Sequence, residues 1–306
     1  MAEATKIKTS TCNENGFSVW KAFARLNGRG GLATACILLG LVAITLGVRI
    51  FTYQQPEWGG DAFFYFVAAS WIHHGVDYEI NLKTSRLGIQ LPAAAMQLLA
   101  GEGHFVYSFA PILMCVVLVV SVYLLTEKLS GRLPALVASV GVLAFLSERL
   151  MNEYVAHQLF PGMFQAAYLA LLCLLLVYYS SQRHHGFLLL AGVVLGLAYM
   201  TKFTDLFVVP GLVAVAVLVR PDKKAVVCFL AGFLAVYCCE HMYYAIRGWP
   251  GGRFQMLYST ATTGKGVTGH IAEKTGVVPE WIGRKGSEGV VQGIGTFFQR
   301  YTAKQA

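Results

Sequence analysis

The sequence predicts an all-α fold, a polytopic membrane helix bundle with about seven transmembrane helices and short interfacial helices in its first outer loop. Three observations carry this. Apolar residues fill 56% of the 306 positions against 13% charged, and mean hydropathy is +0.56, a balance that cannot close a water-soluble surface. Apolar runs of about 20 residues, enough for one crossing, recur along the chain between short polar connections. Lys and Arg gather in alternate connections, as positive-inside bias expects, so the net charge of +8 reflects orientation and not a nucleic-acid partner.

In chain order, residues 1–30 form a polar, mildly basic segment, with Lys6, Lys8, Lys21, Arg25 and Arg29 against Glu3 and Glu14. This reads as a cytoplasmic N-terminal tail, with Phe17, Val19, Trp20 and Phe23 on a short membrane-surface helix. Gly31 to Ile50 is apolar up to Arg49, about 28 Å if helical, and makes the first crossing.

The loop 51–103 holds Glu57, Asp61, His73, His74, Asp77, Glu79, Lys83, Arg86 and Glu102, too many charges to cross. Two stretches inside it have helical spacing. Asp61 to His74 aligns Phe64, Ala68 and Trp71; Gln90 to Ala100 has Pro92 near its first turn and is expected to bury Leu91, Met96, Leu98 and Leu99.

Phe105 to Thr126 is the second crossing and Leu133 to Leu146 a short third one. Leu159 to Tyr179 makes the fourth. Phe187 to Val219 is too long for one span and is interrupted by Lys202, Asp205 and Pro210, so it divides into a fifth and a sixth; Ala225 to Ala245 is the seventh. Residues 31–245 thus form one transmembrane module. With the N-terminus inside, Lys128, Arg132, Arg183, Arg220, Lys223 and Lys224 fall in the cytoplasm, while the Asp61 loop, the Glu153 loop and Lys202 share the outer face. The basic segment 246–306 then lies outside. Its Thr263 to Gly269 stretch lacks the spacing of a phosphate-binding P-loop and reads as a surface loop, with a basic cover over an anionic headgroup as the alternative.

Asp61 is the leading candidate for chemistry, because a carboxylate placed at a membrane edge among Trp58, Phe63, Phe64 and Tyr65 is costly unless it is used. An N-capping role for Asp61, an i,i+3 pair of Lys202 with Asp205, an interface-anchor role for Tyr65 and a solvated Glu153 are the plainer readings. The doublets His73-His74 and His184-His185 are expected to diverge on helices, and six of the seven cysteines sit in apolar runs, so no metal site is expected.

Asp61-x3-Tyr65-x2-Ala68, Gly75 at the end of that helix, the helix with Pro92, and Gly192-Val-Val-Leu-Gly-Leu-Ala-Tyr-Met-Thr-Lys202 together resemble the integral-membrane GT-C glycosyltransferases. The similarity runs over about Gly31 to Trp249 and is closest to the bacterial branch that includes aminoarabinose and protein-mannosyl transferases. It implies transfer of a sugar, hexosyl or pentosyl, from a polyprenyl-phosphate carrier to a glycan, lipid or protein acceptor on the outer face of a bacterial inner membrane. In such enzymes the residue matching Asp61 is the proposed general base, and the Lys that closes the glycine motif, here Lys202, lies near the carrier phosphate.

Elementary chemistry agrees with that pair: inverting attack needs a carboxylate for the acceptor proton and cations for the departing phosphate, to which Lys83 and Arg86 can add. Many relatives carry a second acidic residue where this chain has Phe160-Pro161-Gly162, and Glu153 and His157 are the nearest substitutes. Relatives continue with further helices, so the expectation here is a minimal, partner-dependent or truncated enzyme, the partner in the second case being another membrane subunit that supplies them. No cofactor is required beyond the lipid-linked sugar, and a divalent metal is compatible with the chemistry. The alternative is a non-catalytic partner, or a polyprenyl-phosphate-lipid binding or transport protein on the same module. Few charges lie within the spans, chiefly Glu240 with His241, which disfavours ion-coupled transport.

Overall fold

A computed structural model describes residues 29–52, 60–75, 85–148, 158–202 and 222–253. Eight helices and no strand occur among them: α1 Arg29–Phe51, α2 Gly60–His73, α3 Leu87–Ala100, α4 His104–Ser130, α5 Arg132–Ser147, α6 Pro161–Gln182, α7 His185–Thr201 and α8 Lys223–Ile246. The protein is a polytopic helical membrane protein. Four stretches are long and apolar enough to cross a bilayer: Gly31–Phe51, Val106–Ser130, Pro161–Gln182 and Lys223–Ile246. The expected third and fifth crossings are apolar helices of only 16 and 17 residues, and the expected sixth lies outside the described residues. The count of seven therefore stands at four long helices among the described residues.

The chain divides after Ile44 into two units. The first contributes the apolar N-terminal part of α1, with Leu32, Leu39 and Ile44 exposed. In the second, α2 packs on α3, α3 on α4 and α7, α4 on α5 and α6, and α7 on α6 and α8.

The α7/α8 contact follows from small residues. A Cβ on Gly192 would collide with Phe229 O and Phe233 N, and one on Gly232 with Leu189 O and Val193 N; one on Gly196 would meet the Val236 side chain. Gly192-x3-Gly196 thus lets two backbones touch, the usual means of helix association where lipid removes the hydrophobic drive. Tyr199 continues the seam against Phe233 and Tyr237, with ring centroids 6.1 and 6.0 Å away. The two helices run parallel, their starts joined by His185 Nε2 and Asp222 Oδ2 at 3.0 Å. Lys202 and Asp222, which flank the connection 203–221, accordingly lie at opposite ends of the pair.

Helix ends are satisfied locally. Asp222 accepts from Lys224 N at 3.0 Å as the N-cap of α8, and Pro161 opens α6 at its first position. Buried Arg49, in the last turn of α1, donates to Leu146 O at 3.0 Å and Ser147 Oγ at 3.2 Å, occupying a carbonyl that α5 leaves without an internal partner.

The buried face of α3 differs from expectation. Leu87, Gly88, Ile89, Gln90, Ala93, Ala94 and Gln97 face the core, while Leu98 and Leu99 are 69% and 78% exposed and Leu91 is exposed too. Gln97 Nε2 donates to Phe66 O at 3.1 Å, so the polar and small residues make the helix contacts and the leucines point outward. On a helix lying along the lipid boundary, as expected for this loop, outward leucines meet lipid and gain little by turning inward, whereas an amide gains a partner.

Candidate functional site

The polar elements converge at the start of α3, residues Ser85 to Gly88. Arg86, the residue preceding the helix, sets its guanidinium 5.5 Å from the centroid of the Tyr65 ring, and Tyr65 is fully buried in α2. Tyr168 Oη of α6 donates to Gly88 O at 3.0 Å, and Tyr244 Oη of α8 donates to Ser85 O at 2.6 Å. Gly88 meets α7 directly: a Cβ there would overlap Leu197 O and the Oγ1 and N of Thr201. Helices α2, α6, α7 and α8 thus all touch one short segment.

Two expected site residues lie one step from this hub. Asp61 is the second residue of α2, one helical turn before Tyr65. Lys202 follows Thr201 directly, as the extended C-cap of α7, and is exposed. Lys83, Glu153, His157 and Asp205 lie outside the described residues. So do the N-terminal tail to residue 28 and the segment 254–306 with its glycine-rich loop.

A second polar group closes the C-terminal ends of α7 and α8. Arg253 is buried and donates through Nη1 to Tyr199 O at 3.0 Å and Met200 O at 3.3 Å, with Glu240 Oε1 3.4 Å away. Its guanidinium carbon stands 5.7 Å from the Tyr199 ring centroid. The ion pair is nearly inaccessible on both sides and fixes the last turn of α7, immediately before Lys202. Glu240 stood out in the sequence as a charge inside a span; Ser85, Gly88, Tyr168, Tyr244 and Arg253 did not, because a single tyrosine, glycine or arginine near a span end carries no pattern.

The doublet His184-His185 diverges as expected. His184 accepts from Gly186 N at 3.1 Å, while His185 turns to Asp222. That interaction holds the Asp222 carboxyl below its usual range, the His185 hydrogen bond being the main cause. His73 and His74 correct the expectation: their rings stack, centroids 4.6 Å apart, and both approach Glu102. The two lie at the end of α2, where Glu102 draws both rings to one carboxylate, while His74 N still donates to Ser70 O at 2.9 Å.

The geometry is that of a membrane helix bundle in which Arg86 and the tyrosines Tyr65, Tyr168 and Tyr244 gather at the start of α3. A family model described as dolichyl-phosphate-mannose-protein mannosyltransferase matches residues 88–244. No curated protein and no solved structure matches the chain. The matched region begins at Gly88 in the hub, includes Lys202 and ends at Tyr244, while Asp61, Tyr65 and Arg86 precede it. Since it spans more than half of the sequence, the chain belongs to the dolichyl-phosphate-mannose-protein mannosyltransferase family, membrane glycosyltransferases of the GT-C type.

Proposed function

We propose that the chain transfers a sugar from a polyprenyl-phosphate carrier to an acceptor on the outer face of a bacterial inner membrane, through a module of seven crossings whose N-terminus is cytoplasmic. Asp61 takes the proton of the acceptor hydroxyl as its oxygen attacks the anomeric carbon. The bond from that carbon to the phosphate oxygen breaks, and the phosphate leaves with the electron pair on its lipid. Lys202, with Arg86 and Lys83, stabilises the charge that develops there. Glu153, His157 and Asp205 complete the acceptor and donor contacts in this reading.

The observation that carries the proposal is the hub at Ser85 to Gly88, inside a chain of this family. It joins the helix that carries Asp61 in its first turn, through Tyr65 and Arg86, to the helix capped by Lys202, through Gly88 and Thr201. Rigid support of that kind is what a base and a phosphate cation need to act on the two sides of one anomeric carbon.

The test is turnover of a panel of polyprenyl-phosphate sugars by purified protein in nanodiscs, comparing wild type with Asp61→Asn and Lys202→Ala. Loss of transfer by about 100-fold or more in Asp61→Asn, with donor binding retained, supports a base. Weaker donor binding in Lys202→Ala supports the phosphate role. Unchanged turnover in Asp61→Asn removes that residue from the mechanism, and donor binding without release by the wild type favours a binding partner over an enzyme.

A further inference from the structure

The C-terminal end of α2 and the turn between α3 and α4 meet in a cluster that the transfer reaction does not use. Glu102 lies between Gly101 and Gly103, and Gly101 has φ +83 and closes α3 by donating its N–H to Gln97 O at 2.8 Å. The turn directs the Glu102 side chain inward, where it is only 8% exposed. Glu102 Oε1 lies 3.0 Å from His74 Nε2 and 3.7 Å from His73 Nδ1, and Ser70 Oγ donates to the same oxygen.

Two features of this cluster ask for a cation. A carboxylate withdrawn from water needs compensating charge, and the helix ends around it act in opposite senses, since α2 and α3 end there while α4 begins directly after it. And His73 Nδ1 is shielded from solvent with no hydrogen bond among the described residues, although it lies 3.7 Å from Glu102 Oε1. That distance is too long for a hydrogen bond, yet it suits two ligands on one ion. Donors at about 2.0–2.1 Å in a tetrahedral shell stand roughly 3.3 Å apart, between the two observed separations.

We propose that His73 Nδ1, His74 Nε2 and Glu102 Oε1 bind one divalent transition-metal ion, with Zn2+ the best match for two imidazoles and a carboxylate. Each of the three residues offers a donor atom, and these lie within 4.8 Å of one another. Ser70 orients the carboxylate from behind, as the outer-shell partners of metal ligands do. The ion staples the end of α2 to the α3–α4 turn. Because Asp61 lies in the first turn of α2, and Arg86 lies over Tyr65 one turn further on, the staple holds both helices of the hub in register from their far ends.

The experiment uses the full chain with its affinity tag removed, stripped with chelator and titrated with Zn2+ against a chromophoric competitor. Wild type is expected to take up one Zn2+ per chain and to show a higher thermal midpoint with metal. His74→Ala and Glu102→Gln should each weaken uptake at least tenfold and abolish the shift, while His184→Ala, in the other doublet, changes neither. Co2+ in place of Zn2+ should give the visible absorption of a tetrahedral site in the wild type, a readout that stands even if a variant fails to fold. No stoichiometric uptake by the wild type, no Co2+ band, or uptake unaltered in both His74→Ala and Glu102→Gln would overturn the site. None of these readouts depends on sugar transfer.

Discussion

Tyr244 Oη donates to Ser85 O at 2.6 Å, joining two residues 159 positions apart in the interior. The bond ties the end of α8 to the segment that opens α3. Tyr244→Phe keeps the ring and removes only the donor, leaving a buried carbonyl without that partner at a cost of about 1–3 kcal/mol. Thermal unfolding in detergent should therefore fall by a few degrees, and donor KM should rise as Arg86 loses its support. An unchanged midpoint would mean that water replaces the hydroxyl.

Gly88 and Gly141 make a matched pair of alanine substitutions. At Gly88 a methyl group meets the backbone of Leu197 and Thr201, so α3 must move off α7; overpacking of this kind costs about 1–3 kcal/mol, and here it also displaces Arg86. At Gly141, in α5, nothing lies within 4 Å of the new methyl, and Gly141→Ala should gain roughly 0.5–1 kcal/mol from helix propensity. Opposite signs in the two melting curves are the expected result.

Arg253→Ala leaves Glu240 as an uncompensated buried group. Breaking one side of such a pair costs about 3–5 kcal/mol, so low yield of folded protein is expected. Arg253→Met combined with Glu240→Gln removes both charges and should recover much of the loss, though Tyr199 O and Met200 O stay without their donor. If the double variant is as unstable as the single one, those carbonyl bonds matter more than the ion pair.

The pairing of His185 with Asp222 predicts a weak acid limb. Asp222 is held below the ordinary aspartate value of about 3.9 by that hydrogen bond. A depressed carboxylate contributes stability that is fully present above its unfolded value and is lost as pH falls through the folded one. The thermal midpoint should thus lose this contribution only below about pH 4, and Asp222→Asn should remove that part of the slope. The pair is solvent-exposed, so the effect is small and shrinks in high salt.

Helix placement was legible in the sequence to within a few residues, because apolar runs in a membrane protein are bounded by charges, prolines and glycines. Phe105 to Thr126 became His104–Ser130, and Ala225 to Ala245 became Lys223–Ile246. The placement of Asp61 in the first turn of a helix and of Lys202 at the end of another was also readable, since both interrupt apolar patterns. The orientation of α3 was not. The spacing of Leu91, Leu98 and Leu99 suggested a core face by the logic of water-soluble proteins, and these side chains point outward.

The sequence by itself determined the class of molecule, the course of its described helices and the two ends where charged residues collect, since burial in lipid is governed by composition and length. Only the tertiary structure decided which faces meet. It brought Ser85 to Gly88 under four other helices, drew Arg253 back onto Glu240, and turned His73 and His74 toward Glu102. Where the solvent is apolar, leucines do not distinguish inside from outside; small residues that admit a backbone, and polar groups that must find partners, make that choice through contacts distant in sequence.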